Sequence, residues 1–272
     1  MAAMPIASPA ASARAVVTGA SSGIGMELAR ELARRGHSLI VVARRGDILE
    51  ELAVELRTQH DVQVEVRPSD LSDPVAVEIL AGELAEREIS VLCNNAGIAT
   101  FGQVAQLDAE YERAQVRLNV NAVHNLTLAV LPQMVARGSG GILMVGSAAG
   151  NMPIPHNATY AASKAFVNTF SESLRGEVSG QGVHITLLAP GPVRTHTPDP
   201  DDASIVDKMV PGFLWHNSTE VAKMSLDALE HNKMRVVPGT LSKAMSVAGG
   251  YSPRAVVAPI VGTFYKRLGP ES

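Results

Sequence analysis

The sequence lacks several features that would assign it to a particular class of protein. Its one cysteine, Cys93, cannot form an internal disulfide, and low cysteine use suits the reducing cytoplasm, where we expect the protein. It has no run of about 18 apolar residues, so we expect no transmembrane helix. Its net charge is −4 and no block of lysine and arginine exceeds two residues, which argues against a nucleic-acid partner.

Metal-ligand motifs and a secretion signal are also missing. The histidines, among them His37, His124, His156 and His184, show no ligand spacing with cysteine or acidic residues, so we predict no metal site. Residues 1–13 are rich in alanine, serine and proline without an early positive charge. We therefore expect a flexible leader there rather than a signal peptide.

The size and composition fit a well-buried globular enzyme. The 272 residues are enough for one α/β domain with a large core. The hydrophobic content of 46% and the charged content of 18% leave some apolar surface uncovered.

A strand, a glycine-rich turn and a helix follow one another at the start of this domain. Residues 14–18 form a short apolar run, Gly19–Gly25 have glycines spaced G-x-x-x-G-x-G, and residues 26–35 have helical periodicity. Glycines let backbone N–H groups approach a pyrophosphate, and the helix dipole favours the anion. The pattern predicts a phosphate cradle, although a plain tight turn is the alternative.

Two arginines, Arg44 and Arg45, end the next apolar strand, residues 38–43. In dinucleotide-binding folds an acidic residue at this place binds the ribose of NAD, whereas arginine accommodates the 2′-phosphate of NADP. No acidic residue occupies positions 43–45, so we favour NADP(H) over NAD(H). The alternative is that both arginines are solvated surface charges.

Strands and helices alternate along the rest of the chain, which predicts an α/β fold. The further strands are expected at 62–66, 89–93, 141–145, 183–188 and 235–237, and the helices at 47–60, 74–88, 108–137, 157–178 and 219–231.

Distinctive segments follow three of these strands, at the strand ends where open α/β sheets bind ligands: two carry polar residues and one is rich in proline and glycine. Asp70 could contact an adenine or cap a helix, although Asp73 before Pro74 is the better cap. The run Asn94-Asn-Ala-Gly97 suits packing against a cofactor, or is a polar turn. The two prolines around Gly191 predict a rigid loop over 189–195.

Two asparagines, Asn119 and Asn121, lie inside the long predicted helix 108–137. Asparagine is a poor helix-interior residue, so the pair indicates a local distortion or a buried polar network. We expect one of them to be functional and the other to be a satisfied core amide.

Two segments near the C-terminus carry apolar residues without a clear partner. Residues 197–218 are irregular and contain Phe213, Leu214 and Trp215, which fit a lid over an apolar substrate or a subunit contact. The apolar run 255–264 is too short to span a bilayer; packing on the domain is the default, and an oligomer contact or a peripheral membrane contact stays open.

Ser147, Tyr160 and Lys164 form the central constellation of the sequence. Ser147 follows the apolar strand 141–145, and Tyr160 and Lys164 share one face of the next helix because they are four residues apart. A nearby ammonium favours the phenolate and lowers the pKa of a tyrosine toward the working range. The spacing suits proton transfer at a carbonyl or alcohol oxygen, although Tyr-x-x-x-Lys alone also occurs by chance.

Taken in order, these motifs resemble the short-chain dehydrogenase/reductase family over residues 14–240. The matching pieces are Thr18–Gly25, Asp70, Asn94–Gly97, Asn119, Ser147, Tyr160–Lys164 and Pro190–Thr195. The resemblance implies a Rossmann-type, doubly wound parallel sheet of about seven strands in one dinucleotide-binding and catalytic domain. It also implies a homodimer or homotetramer, with residues 241–272 as an extension packed on the domain or at an interface.

The resemblance further assigns catalytic roles. Tyr160 would exchange the proton with the substrate oxygen, and Ser147 would polarise the carbonyl. Lys164 would lower the pKa of Tyr160 and bind the nicotinamide ribose, and Asn119 would hold a water that connects Lys164 to solvent. The cofactor-binding residues implied are Gly19, Ser21, Ser22, Gly23, Ile24, Gly25, Arg44, Arg45, Asp70, Leu71, Asn95, Ala96, Gly97, Pro190, Gly191, Val193 and Thr195. Ser22 departs from those NADP-using members that carry a basic residue before the second glycine.

The sequence therefore predicts an NADP(H)-dependent oxidoreductase that interconverts a carbonyl and a secondary alcohol. The lid residues and the loop with Met152 and Ile154 favour an apolar or lipid-like substrate. The alternatives are a catalytically silent NADP-binding regulator on the same fold and a membrane-surface protein that uses the C-terminal apolar run.

Overall fold

The computed structural model describes residues 12–191, 193–194 and 216–239. Within that part the strands, in chain order, are β1 (Arg14–Thr18), β2 (Leu39–Ala43), β3 (Val64–Pro68), β4 (Ile89–Asn94), β5 (Gly140–Val145), β6 (Val183–Leu188), β7 (Val193–Arg194), β8 (His216–Asn217) and β9 (Arg235–Val236). Seven of them form one parallel sheet in the order β3-β2-β1-β4-β5-β6-β9. The predicted Rossmann-type sheet of about seven strands is therefore confirmed.

Helices connect the strands of this sheet. They are α1 (Gly23–Arg34), α2 (Gly46–His60), α3 (Pro74–Ala85), α4 (Ala109–Val116), a π-helical segment (Arg117–Ala122), α5 (Val123–Arg137), a 3₁₀ turn (Ala148–Asn151), α6 (Ala158–Glu177) and α7 (Ser218–Glu230). The helices cover both faces, because one buried cluster joins the sheet to α1, α2 and α7 and a second joins it to α3, α5 and α6.

The inner strands are continuous apolar runs because both of their faces are covered. All five residues of β2 are buried, and alternate side chains enter opposite clusters: Leu39 and Val41 pack toward α1 and α2, whereas Ile40 and Val42 pack toward α3 and α5. The carboxyl ends of β1, β4 and β5 consequently lie side by side at one edge of the layer, which is where ligands bind in this architecture.

Several element boundaries differ from the sequence-based predictions. Helix α1 begins three residues before position 26, and β3 lies two residues later than 62–66. The predicted helix 108–137 is broken by the π-helical segment, which confirms the distortion expected near Asn119. Residues 197–218 are not irregular throughout, because 216–217 pair with β7 and α7 begins at 218. Two-residue strands have no hydrophobic periodicity by which a sequence could reveal them.

Gly25 is the point where α1 packs most tightly against the end of β1. A Cβ atom at this position would lie 2.2 Å from the carbonyl oxygen of Gly19 and 2.4 Å from Nδ2 of Asn95. A side chain here would require both the Gly19 backbone and the Asn95 amide to move away, so the first turn of α1 needs a glycine at this position.

We predict that Gly25→Ala lowers the free energy of unfolding by about 1–3 kcal/mol, as overpacking does elsewhere. Gly82→Ala is the matched control, because Gly82 lies in α3 and a Cβ there would meet no atom within 4 Å. This control should leave stability unchanged or raise it by about 0.5–1 kcal/mol, since alanine is the better helix former. Urea unfolding of the three proteins measures the difference, and equal effects of the two substitutions would contradict the close packing.

Candidate active site

The glycine-rich loop presents an open helix N-terminus to a cleft of about 630 Å³. Gly23 has a φ of +54°, and Ser22 at the N-cap of α1 makes no capping hydrogen bond with its side chain. The first turn of α1 also contains no acidic residue. Its N–H groups and the positive end of the helix dipole are thus free to bind an anion such as a phosphate.

Thr18 and Asn95 tie this loop to the end of β4. The Thr18 hydroxyl accepts hydrogen bonds from the backbone N–H groups of Asn95 (2.9 Å) and Ala96 (3.0 Å) and donates one to the carbonyl of Cys93 (3.2 Å). The Asn95 side chain donates to the carbonyl of Thr18 at 2.9 Å. Asn95 therefore shapes the loop from behind. Thr18 had no role predicted from the sequence, and its one signal was a hydroxyl at the end of an apolar strand.

The two arginines after β2 differ in their hydrogen bonding. Arg45 donates through Nη2 to the carbonyl and the hydroxyl of Ser21, both at 3.1 Å, and so braces the glycine-rich loop. Arg44 is exposed, lines the cleft, and has no hydrogen bond or ion pair within the described residues. Arg44 is thus the guanidinium that is available for a ligand.

Asp70 lies across the same end of the cleft from Arg44. Its carboxylate accepts hydrogen bonds from the backbone N–H (2.9 Å) and the hydroxyl (2.8 Å) of Ser72. Partial burial raises the pKa of Asp70, but these hydrogen bonds and the charges of Arg44 and Arg117 outweigh it and lower the pKa below its ordinary value. Asp73 caps α3, as expected, because its side chain accepts from the N–H of Val75.

Asn119 is fully buried in the π-helical segment and clamps the chain after β4. Its Oδ1 accepts from the N–H of Ile98 at 3.0 Å, and its Nδ2 donates to the carbonyl of Ile98 (2.9 Å) and to the hydroxyl of Ser163 (3.0 Å). The extra residue of a π turn aims this amide away from the regular helical path. Asn121 is exposed, so the expectation that it is a core amide is wrong.

Ser147, Tyr160 and Lys164 meet at the carboxyl end of β5. The side chains of Ser147 and Tyr160 are hydrogen-bonded to each other, and the Lys164 ammonium lies 5.8 Å from the centre of the Tyr160 ring. Lys164 Nζ donates to the carbonyl of Val145 at 2.8 Å. The Ser147 hydroxyl oxygen accepts from the N–H of Ala149 at 3.1 Å, which leaves its own hydrogen free to donate.

Burial controls the protonation of this group. It raises the pKa of Tyr160, and the hydrogen bond from Ser147 opposes this only in part. Burial also lowers the pKa of Lys164 to about 8. The expectation that Lys164 lowers the pKa of Tyr160 is therefore not met in this structure, because the ammonium bonds to the Val145 carbonyl and desolvation of the phenol dominates.

The cleft gathers most of the residues that the sequence singled out. Those lining it are Gly19, Ser21, Ser22, Gly23, Ile24, Arg44, Arg45, Asp70, Leu71, Asn95, Ala96, Gly97, Tyr160, Lys164, Pro190, Gly191 and Val193. Gly25, Asn119 and Ser147 stand just behind this lining. Ser69, Ile98 and Gly146 also line the cleft and were not predicted, because small or apolar residues beside strand ends have no distinctive sequence pattern.

Some predictions concern parts of the chain outside the described residues. These are the leader up to residue 11, Thr195, the lid residues Phe213, Leu214 and Trp215, and the C-terminal segment from residue 241.

The described residues contain neither a candidate membrane span nor a candidate metal site. No helix in them has the length and apolar character needed to cross a membrane. No group of three or more histidine, cysteine, aspartate or glutamate side chains in them is placed to hold a metal ion.

Comparison with known proteins places this geometry in a family. Residues 13–204 match the family model described as short chain dehydrogenase. Sulfoacetaldehyde reductase 2 of Chromohalobacter salexigens is 41% identical over 184 residues, which cover 66% of this chain and 72% of that protein. The very-long-chain 3-oxoacyl-CoA reductase of Anas platyrhynchos is 38% identical over 194 residues, covering 69% of this chain and 62% of that protein.

A solved structure shows the same arrangement of elements. A short-chain dehydrogenase from Sphingobium yanoikuyae, in complex with NADPH, superimposes with a TM-score of 0.78 at 33% identity, covering 87% of this chain and 92% of that one. The matched family model, the relatives and this neighbour agree with the motifs assembled around the cleft. The chain is therefore an oxidoreductase that belongs to the short-chain dehydrogenase/reductase family.

Proposed function

We propose that this protein uses NADPH to reduce a carbonyl to a secondary alcohol, with Tyr160 as general acid and base. The observation that carries the proposal is the meeting of Ser147, Tyr160 and Lys164 beside a cleft whose other end holds the glycine-rich loop and Arg44. A proton donor and an anion-binding helix N-terminus at two ends of one cleft suit a nucleotide cofactor that reacts with a carbonyl.

In the proposed reaction Tyr160 donates its proton to the substrate oxygen. The Ser147 hydroxyl donates a hydrogen bond to the same oxygen and stabilises the negative charge that develops there. The reduced nicotinamide supplies the hydride when NADPH is bound. The Lys164 ammonium uses one of its three N–H donors on Val145, so two remain for the ribose side of the cleft.

Asn119 is proposed to support proton transfer from behind the cleft. A Cβ atom at Gly97 would lie 3.2 Å from Asn119 Oδ1 and 3.4 Å from Lys164 Nζ, so both groups face the same small volume. The bond from Asn119 to Ser163 joins this volume to the helix that carries Tyr160. A water held there would connect Lys164 to solvent, as the family resemblance implies.

NADP(H) fits the described residues better than NAD(H). Arg44 offers an unpaired guanidinium at the end of β2, and a planar fork of N–H donors suits a phosphate. No acidic residue follows β2 directly to bind a ribose hydroxyl in its place. The neighbour from Sphingobium yanoikuyae, which was solved with NADPH, supports the same preference.

The substrate is proposed to be apolar or lipid-like. The loop between Ser147 and Tyr160 contributes two apolar side chains near the catalytic residues, since Ile154 is buried and Met152 is half-buried there. The similarity to a very-long-chain 3-oxoacyl-CoA reductase supports this class, whereas the similarity to sulfoacetaldehyde reductase 2 points to a small anionic aldehyde as the competing class.

Assembly as a homodimer or homotetramer and a location in the cytoplasm stay predictions. The exposed side chains of Tyr111, Val116, Leu128 and Phe166, on α4 to α6, give apolar surface that a subunit interface would cover.

The first test is Tyr160→Phe, which removes the proton donor and keeps the ring. We expect kcat for NADPH-dependent reduction to fall at least about 100-fold, the usual contribution of a general acid. Tyr111→Phe, on the exposed part of α4, should leave the rate unchanged. NADPH consumption is followed with long-chain 3-oxoacyl thioesters, bulky ketones and short anionic aldehydes. Equal rates of reduction for Tyr160→Phe and wild type would contradict the role of Tyr160, whereas NADPH binding without turnover of any carbonyl would favour the silent regulator.

The pH dependence of reduction follows from the two buried groups. Burial raises the pKa of Tyr160, so the acid is protonated at neutral pH, and the Lys164 ammonium is lost as the pH rises through about 8. We therefore predict that kcat/KM for reduction is level below about pH 7 and declines above about pH 8. Initial rates measured across this range check it, and a rate that rises above pH 8 would contradict it.

The cofactor preference is tested with Arg44→Ala. Loss of a charged hydrogen bond to a phosphate should cost about 1.5–3 kcal/mol, or roughly 10- to 150-fold in NADPH affinity, with little change for NADH. Arg57→Ala is the control, because Arg57 is an arginine of α2 outside the cleft. Titration of both cofactors gives the dissociation constants. Equal binding of NADPH and NADH by the wild type would show that Arg44 is only a surface charge.

A further inference from the structure

Asn168 is a buried amide on α6 that bonds to both sides of the Ser147 backbone. It is 4% exposed. Its Oδ1 accepts from the N–H of Ser147 at 3.4 Å, and its Nδ2 donates to the Ser147 carbonyl at 3.0 Å and to Oδ1 of Asn151 at 3.1 Å. One side chain thus holds the donor and the acceptor of the same residue.

Ser147 needs such a partner because it lies beyond the end of the sheet. The last ladder bond of this strand joins the N–H of Gly146 to the carbonyl of Leu188 at 2.8 Å, and Ala148 bonds to Pro190 at 3.1 Å. Between them the Ser147 N–H points away from β6, and within the described residues Asn168 is its acceptor. A buried N–H without a partner is costly, so this bond fixes the backbone at that point.

The packing around Gly146 shows how closely Asn168 is set against this backbone. A Cβ atom at Gly146 would lie 2.1 Å from Oδ1 of Asn168 and 2.8 Å from Cδ1 of Leu187. The amide therefore occupies the space that a side chain at position 146 would take. A larger residue at 146 does not fit beside the Asn168 amide, which leaves the Ser147 main chain closely packed against it.

Asn168 continues a row of contacts that runs along one face of α6. Tyr160, Lys164 and Asn168 follow at intervals of four residues, so their side chains project from the same face. Tyr160 bonds to the side chain of Ser147, Lys164 to the carbonyl of Val145, and Asn168 to the main chain of Ser147. The first two are proposed to act in the reaction, and the third holds the main chain of Ser147.

We propose that Asn168 is a positioning residue, which fixes the Ser147 backbone and thereby aims the Ser147 hydroxyl at the substrate oxygen. The inference rests on the proposed function, because it assigns a consequence for carbonyl reduction to this hydrogen-bonded pair. Displacing a catalytic group by about 1 Å can cost up to about 100-fold in rate. Asn168 does not itself line the cleft, so we infer that its effect on the substrate passes through the Ser147 main chain, to which it is hydrogen-bonded.

A double-mutant cycle tests whether the effect passes through Ser147. Asn168→Ala should lower kcat about 10- to 100-fold, with the dissociation constant for NADPH unchanged within about twofold. In the Ser147→Ala background the same substitution should cost less than about threefold more, because the hydroxyl that it aims is already absent. Losses that multiply in the double variant would overturn the proposal.

Thr186→Val is the matched control for loss of a buried hydrogen bond. The Thr186 hydroxyl is fully buried in β6 and donates to the carbonyl of Lys233 at 2.7 Å. This variant should be destabilised to a similar extent as Asn168→Ala, yet keep its kcat. If the control loses as much kcat as Asn168→Ala at equal stability, the role of Asn168 is only structural and the proposal fails.

Hydrogen exchange separates this inference from the proposed function, because it needs neither substrate nor cofactor. Exchange in a peptide covering residues 146–152 should be at least about tenfold faster in Asn168→Ala than in wild type. Measured at single amides, the N–H of residue 147 should exchange in Ser147→Ala as in wild type, because its bond to Asn168 is kept, and faster exchange should be limited to the Ala149 N–H, which loses the Ser147 hydroxyl as its acceptor. Unchanged exchange in Asn168→Ala would overturn the backbone link whatever the activity. If exchange is faster in Asn168→Ala but the wild-type protein reduces no carbonyl, the proposed function is refuted and the link between Asn168 and the Ser147 backbone still stands.

Asn168→Asp covers the case in which the alanine variant does not fold. Aspartate keeps the volume and the acceptor for the Ser147 N–H, but it loses the donor and places a negative charge against the Ser147 carbonyl and Asn151 Oδ1. We expect the same direction of change in kcat and exchange. An aspartate variant with wild-type values of both would overturn the proposal.

Discussion

The contact between α6 and the end of β5 is the constraint on which the rest of the site depends. Lys164 reaches back to the Val145 carbonyl at 2.8 Å, and the 3₁₀ turn after Ser147 packs so closely on α6 that a Cβ at Gly150 would lie 2.5 Å from the Lys164 carbonyl carbon. Small residues at 146 and 150 make this approach possible. Because strand and helix are locked together, the serine just after the strand and the tyrosine on the helix can share a hydrogen bond.

The nucleotide end of the cleft is built by an analogous contact between β1 and β4. The Thr18 hydroxyl joins the ends of the two strands, and the Asn95 amide fills the space left by Gly19 and Gly25. Arg45 braces the other side of the loop through Ser21. The side chains of Thr18, Asn95 and Arg45 thus fix the glycine-rich loop whose N–H groups face the cleft, as supporting hydrogen bonds commonly orient a binding site.

The order of elements and the catalytic spacing were accessible from the sequence, because parallel strands covered on both faces and helices with i, i+4 pairs leave periodic patterns. The supporting contacts were not. Thr18, Asn95 and Asn168 act through backbone groups of residues 20 or more positions away, and no local pattern reveals such pairs. The different roles of Arg44 and Arg45 could not be predicted either, because adjacent arginines are equivalent in the sequence. In the structure Arg45 is bonded to Ser21, whereas Arg44 is not.

The electrostatics of the buried pair bear on the direction of the proposed reaction. Sequence spacing suggested an ammonium that lowers the pKa of Tyr160, yet burial raises it in this structure. A phenol that holds its proton suits the reductive direction, in which Tyr160 must give a proton to the developing alkoxide. The oxidative direction needs the phenolate, which burial disfavours. The desolvated site therefore suits the reductive direction of the proposed reaction near neutral pH.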